Sequence, residues 1–167
     1  MRIQEINMLN DTLRIFEEGF FISKGKRRDI KLSKEALKDA KVLLPEQVEY
    51  ICNNPETGEI YKKEDSKYLC ENEDSFSAAL RIKKANPDDK VLVLNFANPV
   101  NPGGGVRRGA RAQEEDLCRK SSLLLSLEGD DARGYYKYNR SLNSLMGSGA
   151  IIINPTVEII KDAKGEL

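Results

Sequence analysis

Residues 91–115 read VLVLNFANPVNPGGGVRRGARAQEE. The first six, Val91 to Phe96, form a continuous apolar run rather than an alternating one. That pattern suits a central strand buried on both faces. The run opens into a loop carrying Asn95 and Asn98, then Gly103, Gly104 and Gly105 in a row. Three residues without Cβ allow positive φ and a close approach of main chain to a ligand. Successive N–H groups in such a loop can form an anion nest, and this loop runs towards a helix. A phosphate or diphosphate is the natural guest. The loop is no Walker A motif, because no GK[ST] follows, and it is not a clean GxGxxG. A glycine triplet by itself reads equally well as a flexible turn.

The flanking segments extend the pattern. From Glu114, EEDLCRKSSLLLSLE predicts a helix with Leu117, Leu124 and Leu125 inward and Gly129 past its end. Upstream, Asp74 opens the helix SFSAALRIKKA, with Phe76, Ala79 and Leu80 on one face and Asn86-Pro87-Asp88-Asp89 ending it. Downstream, residues 129–149 are polar and carry Tyr135, Tyr136 and Tyr138; AIIIN, 150–154, reads as a second buried strand. TVEIIKDAKGEL reads as a further strand and turn. Near the N-terminus, Asn10-Asp11 signals a helix start and Gly19 a stop, with Ile6, Leu9, Leu13 and Phe16 at helical spacing. Phe20–Ile22 and Asp29–Leu32 read as short strands around the basic turn SKGKRR. Ser33 predicts the cap of a helix KEALKDAKVLL that Pro45 terminates, and the polar residues 53–67 predict a surface loop. Helix, strand, glycine loop, helix, strand is an α/β order with a mostly parallel sheet. Ligands in such folds bind at the C-terminal ends of the strands, which is where the glycine loop falls.

Composition removes many chemistries. The 167 residues make one domain, large enough to bury roughly 70% of the unfolded surface. Lys+Arg and Asp+Glu are both 27, so the net charge is zero. That balance argues against direct nucleic-acid binding and against a polybasic membrane binder. No apolar run approaches the roughly 20 residues of a membrane span, and MRIQEINMLNDTLRIFEEG holds no signal-peptide core. There is no histidine. A Ser-His-Asp triad, a Cys-His pair and a histidine-ligated metal are therefore excluded. Cys52, Cys70 and Cys118 lack CxxC spacing and read as reduced thiols of a cytoplasmic protein. Catalysis would have to run on carboxylates, Lys, Tyr, Ser, a thiol or backbone groups.

Several side chains carry two readings. Asn95 and Asn98 can bond ligand hydroxyls or cap turns. Glu114 and Glu115 are adjacent, so on a regular helix they point about 100° apart and make no facing dyad. In a distorted first turn they could serve two parts of one ligand; in a regular one they complement the helix dipole. Arg107, Arg108 and Arg111 fit phosphate contacts or a solvated loop face. Lys24, Lys26, Arg27 and Arg28 read as a solvated hairpin tip. The tyrosines can stack on a base or pack a core.

The whole string is more specific than its pieces. VLNFANPVNPGGG, a short spacer and AQEEDLCRKSSLL resemble the microbial-type poly(ADP-ribose) glycohydrolases, whose signature is a glycine triplet followed by QEE. NDTLRIFEEGFF, NEDSFSAALRI and KYNRSLNSLMGSGAIIINPTVEIIKDAKGEL extend the resemblance over nearly the full chain. It implies a macrodomain, a mixed sheet sandwiched between helices, that binds ADP-ribose or poly(ADP-ribose). It implies hydrolysis of ribose–ribose O-glycosidic bonds with no cofactor and no metal. One domain would span 1–167, with a helical and hairpin extension over about 1–70 and a catalytic core over about 71–167.

By position, Glu115 matches the family's catalytic glutamate and Glu114 the neighbour that holds ribose hydroxyls. Asn98 matches the asparagine that positions the distal ribose. Gly103, Gly104, Gly105 and Val106 match the loop lining ribose and diphosphate, and Gln113 begins QEE. Glycoside cleavage passes through an oxocarbenium-like transition state and needs a proton on the leaving oxygen. Glu115 would supply it and then activate water. Two departures stand out. The spacer VRRGARA carries three arginines where the family more often has small and aromatic residues. The family also continues into a second glycine-rich loop, and no such loop follows Asn154, so the fold is expected without its C-terminal part. TVEII or AIIIN is then expected to be an open sheet edge that supports self-association. The alternative reading is a non-catalytic ADP-ribose-binding macrodomain or an inactive fragment of one; a third is an unrelated α/β domain whose loop binds another phosphate ester.

Overall fold

The computed structural model describes residues 2–54, 67–144 and 146–167; most of the loop expected at 53–67 lies outside the described residues. Helix α1 spans Arg2–Glu18. It starts well before the Asn10-Asp11 signal, because Asp11 is used within the helix: it pairs with Arg14 at 2.7 Å and with Lys161 at 2.7 Å. Leu9, Thr12, Ile15 and Phe16 form the buried stripe. Gly19, at φ +79, closes the helix as expected. A hairpin follows, β1 (Phe20–Ser23) against β2 (Lys26–Asp29). Lys24 and Gly25 both have positive φ, which gives a two-residue primed turn. That turn pairs Ser23 directly with Lys26, so the second strand begins three residues earlier than its expected start at Asp29.

The helix expected over 34–44 is not formed. Ser33 Oγ does accept from Ala36 N at 3.2 Å, but only a single turn, Ala36–Lys38, results. Lys41–Leu43 is strand β3, and Pro45 opens helix α2 (Pro45–Asn53) instead of ending one. A proline has no N–H to lose at the first helical position, so it starts a helix as readily as it stops one. Helix α3 (Ser75–Ala85) agrees with expectation: the Asp74 carboxylate accepts from Ser77 N at 2.9 Å and Asn86 caps the far end. Of its expected apolar face only Phe76 is buried.

Val91–Phe96 is not a doubly buried central strand. Among the described residues no strand pairs with it. Val93 packs on the core, while Leu92, Leu94 and Phe96 are 92%, 67% and 72% exposed. The predicted helix at 114–128 is two: α4 (Gln113–Lys120) and α5 (Leu123–Leu127). Ser121 between them is extended, at φ −148, and bridges to Ile159. The Lys120 carbonyl accepts from Ile160 N and Lys161 N at 2.9 and 3.2 Å, so the C-terminal segment takes a bond that helix continuation would have used. Helix α6 (Arg133–Ser141) lies in the tyrosine-rich stretch, and β4 (Ile151–Ile153) pairs antiparallel with β3. Ile151 and Ile153 are partly exposed, so this strand too is not buried on both faces. Among the described residues the architecture is α/β with two small antiparallel pairs rather than a mostly parallel sheet.

The apolar cluster that matters for the loop contains Leu9, Phe76, Val106, Leu117, Cys118 and Leu124. Cys52 and Cys70 are exposed, Cys118 is buried, and all three are free. Among the described residues no helix is long and apolar enough to cross a membrane.

One charged joint ties α1 to the segment after the glycines. Glu5 accepts from Arg111 Nε at 2.7 Å and forms an ion pair with buried Arg119, whose Nε lies 3.0 Å from it. Arg119 also donates to the Ala110 carbonyl at 2.7 Å, and its own carbonyl accepts from Thr12. Removing Glu5 would leave the Arg119 charge buried with only neutral partners, a loss of about 3–5 kcal/mol. Glu5→Ala is therefore expected to lower Tm by on the order of 10 °C for a chain of this size. The exposed Glu17→Ala on the same helix serves as control; equal shifts in a thermal melt would contradict the role given to Glu5.

Candidate functional site

The site is made where the glycine loop meets the first turn of α4. Two glycines of the triplet are left-handed, Gly103 at φ +64 and Gly104 at φ +58. The turn is closed by Gly104 N donating to Asn101 O at 2.9 Å and Val106 N donating to Gly103 O at 3.1 Å. The side chain of Val106 is buried beneath the loop and anchors it in the core. A Cβ on Gly104 would stand 2.5 Å from Glu115 Oε1 and 3.2 Å from Glu114 Oε2. Both carboxylates therefore face the same bare Cα. Adjacency on a helix does not produce this convergence; the absent side chain at Gly104 does.

Each carboxylate is held by a backbone amide. Asn98 N donates to Glu114 Oε2 at 2.8 Å, and Gly105 N donates to Glu115 Oε1 at 2.8 Å. One amide of the expected anion nest is thus already taken up by a side-chain oxygen of Glu115. Glu114 and Glu115 are both buried, 3% and 7% exposed. Burial pushes the Glu114 carboxyl above its ordinary value of 4.5, and the neighbouring Glu115 charge adds to the rise; the Asn98 and Asn95 hydrogen bonds oppose it. The Tyr135 hydroxyl is raised by burial first and by the Glu114 charge second. Burial likewise pushes the Cys118 thiol upward, with both glutamates contributing, which keeps it protonated and removes it as a nucleophile.

A carboxyl whose pKa is raised on folding stabilises the fold below its unfolded pKa, and that contribution is lost as pH rises through the folded value. Glu114→Gln is therefore expected to melt at higher temperature than wild type at pH 7. The gap should close below about pH 4.5, the ordinary carboxyl value, where Glu114 is protonated in both states. Melting curves taken against pH check this; a constant gap would contradict it. Asn95 Nδ2 donates to Glu114 Oε1 at 3.5 Å, while Asn95 Oδ1 is buried without a partner.

The remaining candidates divide. Asn98 Oδ1 accepts from Val100 N and Asn101 N at 2.9 and 2.8 Å, so its side-chain oxygen closes the turn while its backbone serves Glu114. Gln113 faces away from the glycines: Nε2 donates to Leu94 O at 2.7 Å and Oε1 accepts from Phe96 N at 2.9 Å. A Cβ on Gly105 would stand 2.7 Å from that of Ala110. Of the three arginines, Arg107 forms a two-bond pair with Glu128 at 2.8 and 2.7 Å and Arg111 pairs with Glu5. Arg108 is exposed. Tyr135 and Tyr136 pack edge to face at 5.1 Å, so the core reading holds for them. Glu5 and Arg119 were missed by the sequence reading. Their only local trace is a charged residue on an otherwise core-facing helix stripe.

Among the described residues no cluster of three or more His, Cys, Asp or Glu side chains could hold a metal. Two concave surfaces, one along β3 and α2 at Leu43, Tyr50 and Ile51 and one between α1 and Leu37, contain neither the glycine triplet nor Asn98, Glu114 or Glu115. The site stands out by its chemistry.

A family model described as microbial-type PARG, catalytic domain, matches residues 10–162. The chain is similar to the crystal structure of poly(ADP-ribose) glycohydrolase from Thermomonospora curvata. The two are 27% identical, with a TM-score of 0.86 over 98% of this chain and 59% of that one. The same protein bound to the inhibitor ADP-HPD gives 0.83 over 98% and 57%, also at 27% identity. The glycohydrolase from Deinococcus radiodurans in complex with ADP-ribose is 33% identical, with a TM-score of 0.64 over 81% of this chain and 52% of that one. No curated protein matches. The chain thus spans somewhat over half the length of these structural relatives.

Proposed function

The chain belongs to the microbial-type PARG catalytic-domain family, and from that premise we propose that it hydrolyses the ribose–ribose O-glycosidic bonds of poly(ADP-ribose) with Glu115 as general acid and base. The observation that carries this is the pairing of two buried carboxylates across Gly104, each gripped by a loop amide. Relatives crystallised with ADP-ribose and with ADP-HPD support an ADP-ribose ligand. The macrodomain architecture belongs to the same proposal.

The chemistry balances on one carboxyl and one water. Protonated Glu115 gives its proton to the glycosidic oxygen as the bond from that oxygen to the anomeric carbon breaks. The carboxylate then takes a proton from water as the water oxygen bonds to the anomeric carbon, and the acid is restored. Glu114 holds ribose hydroxyls beside it, and the Asn98 amide keeps that carboxylate in place. Gly103, Gly104 and Gly105 let ribose and diphosphate approach the main chain, which is the use a loop without Cβ atoms serves.

A titration of ADP-ribose followed by backbone amide signals tests the assignment. Shifts are expected at Gly103–Gly105 and at Glu114 and Glu115. Shifts confined to the surfaces around Tyr50 or Leu37, or none, would overturn it.

A further inference from the structure

We propose that Gln113 is a positioning residue whose side-chain amide fixes the register of residues 94–98 against α4, so that the Asn98 amide meets the Glu114 carboxylate. The catalytic part of this inference rests on the function proposed above; the structural part does not.

The bonding pattern is specific. Gln113 Nε2 donates to Leu94 O at 2.7 Å, and Gln113 Oε1 accepts from Phe96 N at 2.9 Å. These are the carbonyl before and the amide after Asn95. In a parallel pair of strands the N–H and C=O of a single residue make that same pair of bonds. Gln113 therefore acts as a one-residue strand partner for a segment that, among the described residues, no strand pairs. Ser75 at the start of α3 accepts a further bond from Nε2 at 3.2 Å and fixes the amide plane. Two residues past Phe96, Asn98 N reaches Glu114 Oε2 at 2.8 Å. Consecutive side chains of α4, Gln113 and Glu114, thus hold one extended segment at two levels.

The segment needs such a hold. Val93 faces the core while Leu92, Leu94 and Phe96 face outward. A slip of one residue exchanges the two faces, and the apolar effect by itself favours turning the larger set inward. The polar clamp opposes that slip. It also explains the residue type: glutamine offers a donor and an acceptor at one reach, glutamate keeps only the acceptor, and asparagine is one methylene shorter.

The test is amide hydrogen exchange in the ligand-free chain, comparing wild type, Gln113→Leu and Gln113→Glu, with the Gly105 amide as internal reference. Exchange at Phe96 and Asn98 is expected to quicken about tenfold in Gln113→Leu, the scale of one lost hydrogen bond, with Gly105 within about twofold. In Gln113→Glu the Phe96 amide keeps its acceptor and Asn98 alone quickens. Should Gln113→Leu fail to fold, Gln113→Glu carries the test. Wild-type exchange at Asn98 in the folded variants would overturn the proposal. Turnover gives a second readout. A positioning residue lowers kcat with KM for the polymer nearly unchanged, whereas a ligand contact raises KM and leaves exchange in the free chain as it was. A chain that hydrolyses nothing would fail the proposed function and leave the exchange result standing.

Discussion

Glu115→Gln is expected to lower release of ADP-ribose from poly(ADP-ribose) by about 10²–10⁴-fold, the usual contribution of a positioned acid or base, and to leave ADP-ribose affinity within a few-fold. The substitution is close to silent for structure. Glu115 Oε1 accepts from Gly105 N, and an amide oxygen can do the same. What the amide cannot do is give a proton to the leaving oxygen and take one from water. Single-turnover release measured beside calorimetric binding separates the two effects. A non-catalytic binding module has no release to lose, and its affinity is equally untouched. Weakened binding that matches the loss of turnover would make Glu115 a ligand-holding residue and contradict the acid–base role.

Gly104→Ala is expected to disable the site by a different route. At φ +58 an alanine costs roughly 1–2 kcal/mol in backbone strain. Its Cβ would also stand 2.5 Å from Glu115 Oε1, so the buried carboxylate must move. A displacement on the order of 1 Å at a reacting group costs about 100-fold in rate. The expected result is that turnover loss together with a Tm fall of about 5 °C. Gly25→Ala is the matching control. Gly25 lies at φ +72 in the hairpin turn with nothing within 4 Å of an added Cβ. It carries the backbone strain without the collision, so its Tm should fall and its turnover should not. Comparable turnover in both variants would show that the contact between Gly104 and the carboxylates is not what shapes the site.

Local signals were legible wherever the chain obeys them locally. Gly19 ends α1 because a left-handed glycine terminates a helix without outside help, and Asp74 caps α3 through its own Ser77 amide. The readings that failed were decided by distant partners. Lys41–Leu43 is a strand because Ile151–Ile153 pairs with it, over a hundred positions along the chain. The long helix breaks at Ser121 because the Ile159 segment bridges there and takes the Lys120 carbonyl. The run at 91–96 was apolar enough to suggest burial on both faces. Yet the polar partner that holds it, the side chain of Gln113, leaves Leu92, Leu94 and Phe96 outside.

The site shows the same division. The residue types were readable as a string, and the resemblance assigned roles to Glu114, Glu115 and the glycines. The geometry was not readable, since adjacent helix positions diverge. Only the two left-handed glycines bring the loop close enough for both carboxylates to meet it. Glu5, which secures Arg119 and Arg111 from the far side of the spacer, had no neighbour in sequence to reveal it.

The most direct measurement of the central claim is the time course of free ADP-ribose released from purified poly(ADP-ribose) by residues 1–167, wild type beside Glu115→Gln. Release by the wild type that the substitution removes, at unchanged ADP-ribose binding, is the predicted result. Equal release by both proteins, or binding of ADP-ribose with no release by the wild type, would contradict a Glu115-driven glycohydrolase.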